Sequence, residues 1–263
     1  MGLVPAAGEA KRISPLPFSK ELFPLGFSNS ETNEFKLRPK VICHYLLEKM
    51  RFAGVNNIYV VLRNGKWDIP SYLSTIQISR IHLAYLIVNR TEGVPYTLDA
   101  AYPFIQNSIV VFGFPDIVFR SRDAYRKLLS KQLETSADLV LGLFPVDAPE
   151  KWDMVDLDEE SKIAGIQIKS ATSELKYAWI IAVWTPTFSQ FMHKYLYLID
   201  DRSTLRDGDE GVQRRELFMG EVINAAIKRR IHLEYEVFPD DTCLDIGIPS
   251  DLIKALKIES KDL

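Results

Sequence analysis

The chain has 263 residues, 47% apolar and 25% charged, the proportions of an ordinary soluble globule long enough to bury a substantial core. Its formal net charge is −3, so nothing global argues for nucleic acid or an anionic membrane, and an anionic substrate has to be met by local cations. With no apolar run near ~18 residues, no basic leader and only two widely spaced cysteines, Cys43 and Cys243, the expectation is one cytoplasmic domain over 1–263, with reduced thiols and no membrane contact.

The chain opens on a short apolar run, Gly2 to Ala6, that reads as a buried strand and leads into a turn of small residues, Ala7-Gly8-Glu9-Ala10. Small residues after a strand let backbone N–H groups come close to a phosphate. Arg12 then offers a forked donor and Lys20 a mobile point charge to the same anion. The same residues also read as an ordinary strand and loop with two solvated cations. Phe27 to Phe35, with Ser28-Asn29-Ser30 and Thr32-Asn33, is polar and turn-rich. Val41 to Ala53 has apolar residues at helical spacing, with Pro39 placed in the first turn and Gly54 as the stop. Asn57 to Leu62 is short, continuous and β-branched, a buried parallel strand, so strand, helix and strand begin a doubly wound sheet.

Ile69 to Leu73 starts a further helix, Leu83 to Val88 is a third buried strand, and Gly93 to Ala101 turns into a helix. Ser108 to Phe119 carries an apolar strand that ends in a turn at Pro115-Asp116. Ligands of open α/β sheets bind at the carboxyl ends of strands, so Asp116 stands where a metal ligand belongs, the alternative being a turn-capping aspartate. A helix from Tyr125 to Leu133 and a strand from Leu139 to Phe144 follow, then a hairpin with a charged tip from Asp153 to Ile163 that leads to Lys169. Tyr177 to Trp184 is a strand rich in aromatics. Leu198 to Arg215 is charged and turn-rich, a mobile loop, and its Asp207-x-Asp209 is either solvated or a metal pair. Glu216 to Arg230 reads as a helix and Ile231 to Phe238 as an alternating strand. Cys243-Leu244-Asp245-Ile246-Gly247-Ile248-Pro249-Ser250 is a turn into a last helix, which Ser250 could cap.

Three of these stretches together resemble the sugar-phosphate nucleotidylyltransferases, the pyrophosphorylases that make nucleotide sugars, and more narrowly the glucose-1-phosphate thymidylyltransferase-like proteins. Ala7 to Leu16 follows the family's Gly-Gly-x-Gly-x-Arg-Leu-x-Pro-Leu, with alanine at Ala7 and Ala10 and Ile13 for leucine. Ser19 to Pro24 follows its lysine motif, and Asp245 to Leu252 its Asp-x-Gly-Thr-Pro-x-Asp-Leu. Gly93 matches the glycine of its Gly-Thr-Ala-Gly-Ala-Leu turn, Val88 falls where the family reads the base, and Lys169 keeps the cation of its Glu-Lys-Pro. The resemblance implies a mostly parallel, Rossmann-like doubly wound α/β sheet flanked by helices, with an antiparallel sugar-binding portion in the second half. It divides the labour between 1–135, mainly for the nucleotide, and 136–263, mainly for the sugar phosphate.

The implied chemistry is attack of a sugar-1-phosphate on the α-phosphorus of a nucleoside triphosphate with release of pyrophosphate. Asp116 and Asp245 would hold Mg²⁺, while Arg12 and Lys20 act as catalytic cations. Ala6, Ala7, Gly8, Glu9, Val88 and Gly93 would contact the nucleotide, and Lys169 with Trp179 the sugar phosphate. Ala7, Ala10, Val88 and Ile168 depart at substrate-facing positions, which favours a rival reading as a nucleotide-sugar-binding regulatory or partner subunit. A metal-dependent glycosyltransferase is a third reading. Homo-oligomerisation is compatible with each.

Overall fold

The computed structural model describes residues 1–29, 37–76, 78, 80–89, 92–204 and 215–257. Strand β1 (Gly2–Ala6) is followed by single 3-10 turns at Lys11–Ile13 and Lys20–Leu22, then by β2 (Pro24–Asn29) and β3 (Leu37–Val41). Next come α1 (Ile42–Phe52), β4 (Asn57–Arg63), α2 (Asp68–Leu73), β5 (His82–Val88), α3 (Val94–Asp99), α4 (Tyr102–Ile105), β6 (Val110–Gly113) and β7 (Ile117–Phe119). The second half holds α5 (Ala124–Thr135), β8 (Leu139–Pro145), β9 (Asp153–Leu157), β10 (Ile163–Ile168), β11 (Tyr177–Trp184) and α6 (Pro186–Thr204). It closes with α7 (Met219–Lys228), β12 (Leu233–Val237), β13 (Cys243–Asp245) and α8 (Pro249–Ala255).

The main sheet runs β10-β9-β11-β6-β1-β4-β5, with β8 also on β11 and β12 on β8. Strands β5, β4, β1 and β6 are parallel, and β11 is antiparallel to both β6 and β8. The fold is therefore the expected one, parallel at its core and antiparallel towards the β9–β10 edge. Alternate residues of the central strands face opposite cores, as the period of two requires. Val4, Val60 and Val111 pack under α1 and α5 with Leu46, Met50 and Leu128. Leu3, Val61 and Phe112 pack on the other side against α3, α4, α6 and α7, with Leu98, Ile105, Phe188 and Val222. Both faces of the strands are covered, which explains why their sequences are continuous rather than alternating. Cys43 and Cys243 are free and buried.

A separate two-stranded sheet positions the site. Short β7 pairs antiparallel with β13, setting Ile117 opposite Asp245, and Ile246 N–H donates to the Asp116 carbonyl at 3.0 Å. Two acids from distant parts of the chain are thus brought to the carboxyl end of β6.

Several local expectations are corrected. Pro39 lies inside β3, opposite Phe27, and the helix begins only at Ile42. Proline's missing N–H is harmless there because the β2–β3 ribbon leaves one side of the strand unpaired. Ser28 and Asn29 belong to β2 rather than to a turn, and Ser30, Thr32 and Asn33 lie outside the described residues. Leu198 to Thr204 is the end of α6 rather than loop, because Phe191, Tyr195 and Ile199 continue its apolar stripe onto the core. Asp207 and Asp209 lie outside the described residues. Helix α7 starts at Met219, since Leu217 N–H is tied to the Glu92 carbonyl at 2.9 Å and holds the chain extended before it. Ser250 does not cap α8: Ile248 occupies the cap position and Ser250 sits within the first turn.

Candidate active site

A cleft of about 750 Å³ opens over the carboxyl ends of β1 and β6, where an open α/β sheet reverses its strand order and where ligands of such folds bind. Its wall includes Ala7, Gly8, Glu9, Arg12, Lys20, Gly93, Asp116 and Asp245, together with Asp153, Lys169, Trp179 and Phe218. Ten of the twelve residues expected at the site from sequence line this one cavity. Two do not. Ala6 is the last residue of β1 with its side chain in the core, and Val88, at the end of β5, packs on the apolar core. Val88, placed by counting along a motif, ends β5 without being part of the cleft's lining.

In the turn after β1, Ala10 has φ 56 and ψ 29, the left-handed conformation that suits glycine, so its methyl carries local strain. A methyl added at Gly8 would make only ordinary contact with the end of Lys20, at 3.7 Å. Gly93 is different: with φ +129 it lies directly against the Leu217 backbone, and a methyl there would strike the Leu217 carbonyl.

Each acid is matched to one cation. Lys20 Nζ donates to Asp116 Oδ2, and Arg12 Nη2 donates to Asp245 Oδ2 at 2.9 Å. Gly247 N–H donates to the other Asp245 oxygen at 2.8 Å. The Lys20 side chain is 14% exposed and that of Arg12 58%, so lysine sits at the floor and arginine at the mouth. Burial works to raise Asp116, but the Lys20 ammonium outweighs it and holds the carboxyl below its usual range. Asp245 is pushed up, first by burial and then by the negative charge of Asp116. The two carboxylates therefore feel one another across the floor. Among the described residues no group of three or more His, Cys, Asp or Glu side chains is placed to hold a metal.

Lys169, also on the cleft wall, has a left-handed backbone, φ 45, and its ammonium lies 4.1 Å from the centre of the Phe218 ring. Trp179 is nearly buried, packed on Phe112 and Phe114, with one edge at the cleft. Asp153 Oδ2 accepts from Gly220 N–H at 3.2 Å, while its burial pushes the carboxyl up to about 6. The Trp179 indole N–H lies beside this carboxylate without a well-formed hydrogen bond. Lys151 Nζ reaches Ser250 Oγ at 3.3 Å across the rim. Sequence reasoning missed Asp153, Lys151, Phe218 and the buried Glu21. Only Glu21 carried a signal, its place beside Lys20 in the lysine motif.

Among solved structures, the fold is similar to a protein from Bacillus anthracis described as a glucose-1-phosphate thymidylyltransferase and solved with a sucrose. That pair has a TM-score of 0.77 at 18% identity, covering 100% of this chain and 95% of the other. A UDP-glucose pyrophosphorylase complexed with UDP-glucose gives a TM-score of 0.73 at 16% identity, covering 97% and 96%. A UTP-bound UGPase from Acinetobacter baumannii gives 0.71 at 13% identity, covering 97% and 91%. No curated protein gives a significant sequence match. The family model for nucleotidyl transferases matches residues 1–261, and the chain belongs to that family.

Proposed function

We propose that this protein is a Mg²⁺-dependent enzyme that transfers a nucleotidyl group from a nucleoside triphosphate to a sugar-1-phosphate, giving a nucleotide sugar and pyrophosphate. The observation that carries the reading is the convergence of Arg12, Lys20, Asp116 and Asp245 in a cleft that Lys169 also lines. The nucleotide would lie against residues of 1–135 and the sugar phosphate against those of 136–263.

The acids fit magnesium. The burial and mutual repulsion that raise Asp245 are what a divalent cation between two carboxylates would relieve. Magnesium keeps several waters and takes one or two carboxylates plus phosphate oxygens, so Asp116 and Asp245 suffice without a third protein ligand. When bound, the ion would neutralise charge on the phosphate oxygens.

The remaining work falls to the chain's own groups. In the transfer a sugar-phosphate oxygen bonds to the α-phosphorus while the bond from that phosphorus to the β-phosphate bridging oxygen breaks. Such a reaction needs alignment and charge neutralisation more than covalent help. Lys20, released from Asp116, would brace the α-phosphoryl oxygens, and Arg12 would grip the departing pyrophosphate with its fork at the mouth. Backbone N–H groups of the Ala7–Glu9 turn would face the phosphates, and Lys169 would orient the sugar phosphate. A cytoplasmic location belongs to the same proposal and accords with two free thiols.

The test is a panel of nucleoside triphosphates and sugar-1-phosphates with Mg²⁺, read as pyrophosphate release. Tight binding of a nucleotide sugar with no release from any pair would move the protein to the regulatory reading.

A further inference from the structure

Lys20 stands between two residues that are both fastened to one short segment elsewhere in the chain. Ser19, before it, donates to Asp68 twice, from its backbone N–H at 2.6 Å and from its hydroxyl at 2.8 Å. Glu21, after it, receives Lys66 Nζ on both carboxylate oxygens, at 2.7 and 2.9 Å. Asp68 is itself held by Ile69 N–H at 3.1 Å, at the start of α2. The Glu21–Lys66 pair is out of solvent, with 1% and 6% of the two residues exposed. Lys66 is delivered by a tight turn at the carboxyl end of β4, in which its N–H meets the Arg63 carbonyl at 3.4 Å and Gly65 takes φ +92.

A buried ion pair is poor evidence for stability, because desolvation offsets most of its attraction. Position is what this arrangement supplies. To reach a phosphoryl oxygen, the Lys20 ammonium has to leave Asp116, and small misplacements of a reacting group are costly in rate. With the backbone held at the residue before and the residue after, the side chain swings from a fixed Cα. Lys66 also occupies the Glu21 carboxylate, whose charge acts on the Lys20 ammonium and would otherwise compete with substrate oxygens for it.

We propose that Lys66 and Asp68 are positioning residues for nucleotidyl transfer, gripping the turn at Glu21 and Ser19 so that Lys20 meets the α-phosphoryl group. This rests on the function proposed above.

Lys66→Met alone strands a buried carboxylate and could unfold the protein, so the variants are Asp68→Ala and the charge-neutral pair Glu21→Gln with Lys66→Met. Each is made with Lys20 present and in a Lys20→Ala background. With Lys20 present, kcat should fall about 10- to 100-fold while nucleotide KM stays within about threefold. With Lys20 already removed, the further loss should be under about twofold, since groups acting as a unit are not additive. Equal losses in both backgrounds mean general structural damage and overturn the proposal. Hydrogen exchange of the unliganded protein supplies a reading that needs no turnover. Peptides spanning 17–24 should exchange at least about tenfold faster in Asp68→Ala while the core strands are unchanged. Unaltered exchange there overturns the clamp even in an active enzyme. A parent protein with no turnover on any pair removes the catalytic role of Lys20 and this one with it, whatever the exchange shows.

Discussion

Arg12 and Asp245 are 233 residues apart in the chain, yet Arg12 Nη2 donates to Asp245 Oδ2 at 2.9 Å. The contact exists because β13 pairs with β7 and carries Asp245 to the loop that follows β1. It brings opposite charges from the two ends of the chain together in one cleft, Arg12 at its mouth and Asp245 deeper, where a triphosphate and its metal would separate them.

Asp116→Asn and Asp245→Asn each remove a carboxylate charge while keeping its shape. Turnover is expected to fall by at least about 100-fold in each, the scale of a lost preorganised charge, and chelation of Mg²⁺ should abolish it in the parent. Both variants should retain the parent's circular dichroism and melt cooperatively. Parent-like turnover from both would remove the metal assignment.

Ala10 holds a left-handed conformation that costs an L-residue with a Cβ roughly 1–2 kcal/mol. Ala10→Gly removes that strain and gives back part of it as unfolded-state entropy, so a net gain of about 0.5–1 kcal/mol is expected. A melting temperature higher by about 1–2 °C is the corresponding observable for a chain of this size. A lower melting temperature would show that Ala10 is not strained.

The uneven legibility of this molecule has physical causes. Strands β1, β4 and β6 could be read from their continuous apolar runs because both faces are buried, and the Arg12–Lys20 spacing was visible because it is local. The β7–β13 sheet was not, since two three-residue strands that pair across more than a hundred residues leave no periodic trace. Pro39 was assigned to a helix because a proline before an apolar stripe signals a first turn equally well, and only the β2 partner decides. The end of α6 reads as loop because Asp200-Asp201-Arg202 is a run of charges, yet Asp200 is tied back to α3, accepting from the Tyr96 hydroxyl at 2.9 Å. The pairing of Lys66 with Glu21 depends on where two loops meet, which no spacing encodes.

His44 offers a pH test of the fold. It is buried in α1 beside Tyr72, its Nε2 has no partner among the described residues, and burial pushes its imidazole down to about 4 from 6.5. The unfolded chain therefore binds a proton that the native state refuses, so this group lowers stability as pH falls from about 6.5 towards 4. The full effect is about 3 kcal/mol. Asp153, raised to about 6, acts in the opposite sense over much of the same window, so the parent's own profile is a sum of both. His44→Gln isolates the first term: relative to the parent it should gain about 3 kcal/mol between pH 7 and pH 4. A pH-independent difference between the two would contradict a neutral, buried His44.

Pyrophosphate release by the parent and by Arg12→Lys, over a panel of triphosphate and sugar-1-phosphate pairs, tests the central claim most directly. Lysine keeps the charge at the cleft mouth but loses the fork that grips two oxygens at once. In an enzyme, Arg12 matters most as negative charge builds on the leaving pyrophosphate, where a charged donor is worth ~3–4 kcal/mol. The account predicts that the parent releases pyrophosphate together with a nucleotide sugar from at least one pair. Arg12→Lys should then bind nucleotide within about tenfold of the parent while losing most of that release. A parent that binds a nucleotide sugar tightly and releases no pyrophosphate from any pair would contradict it.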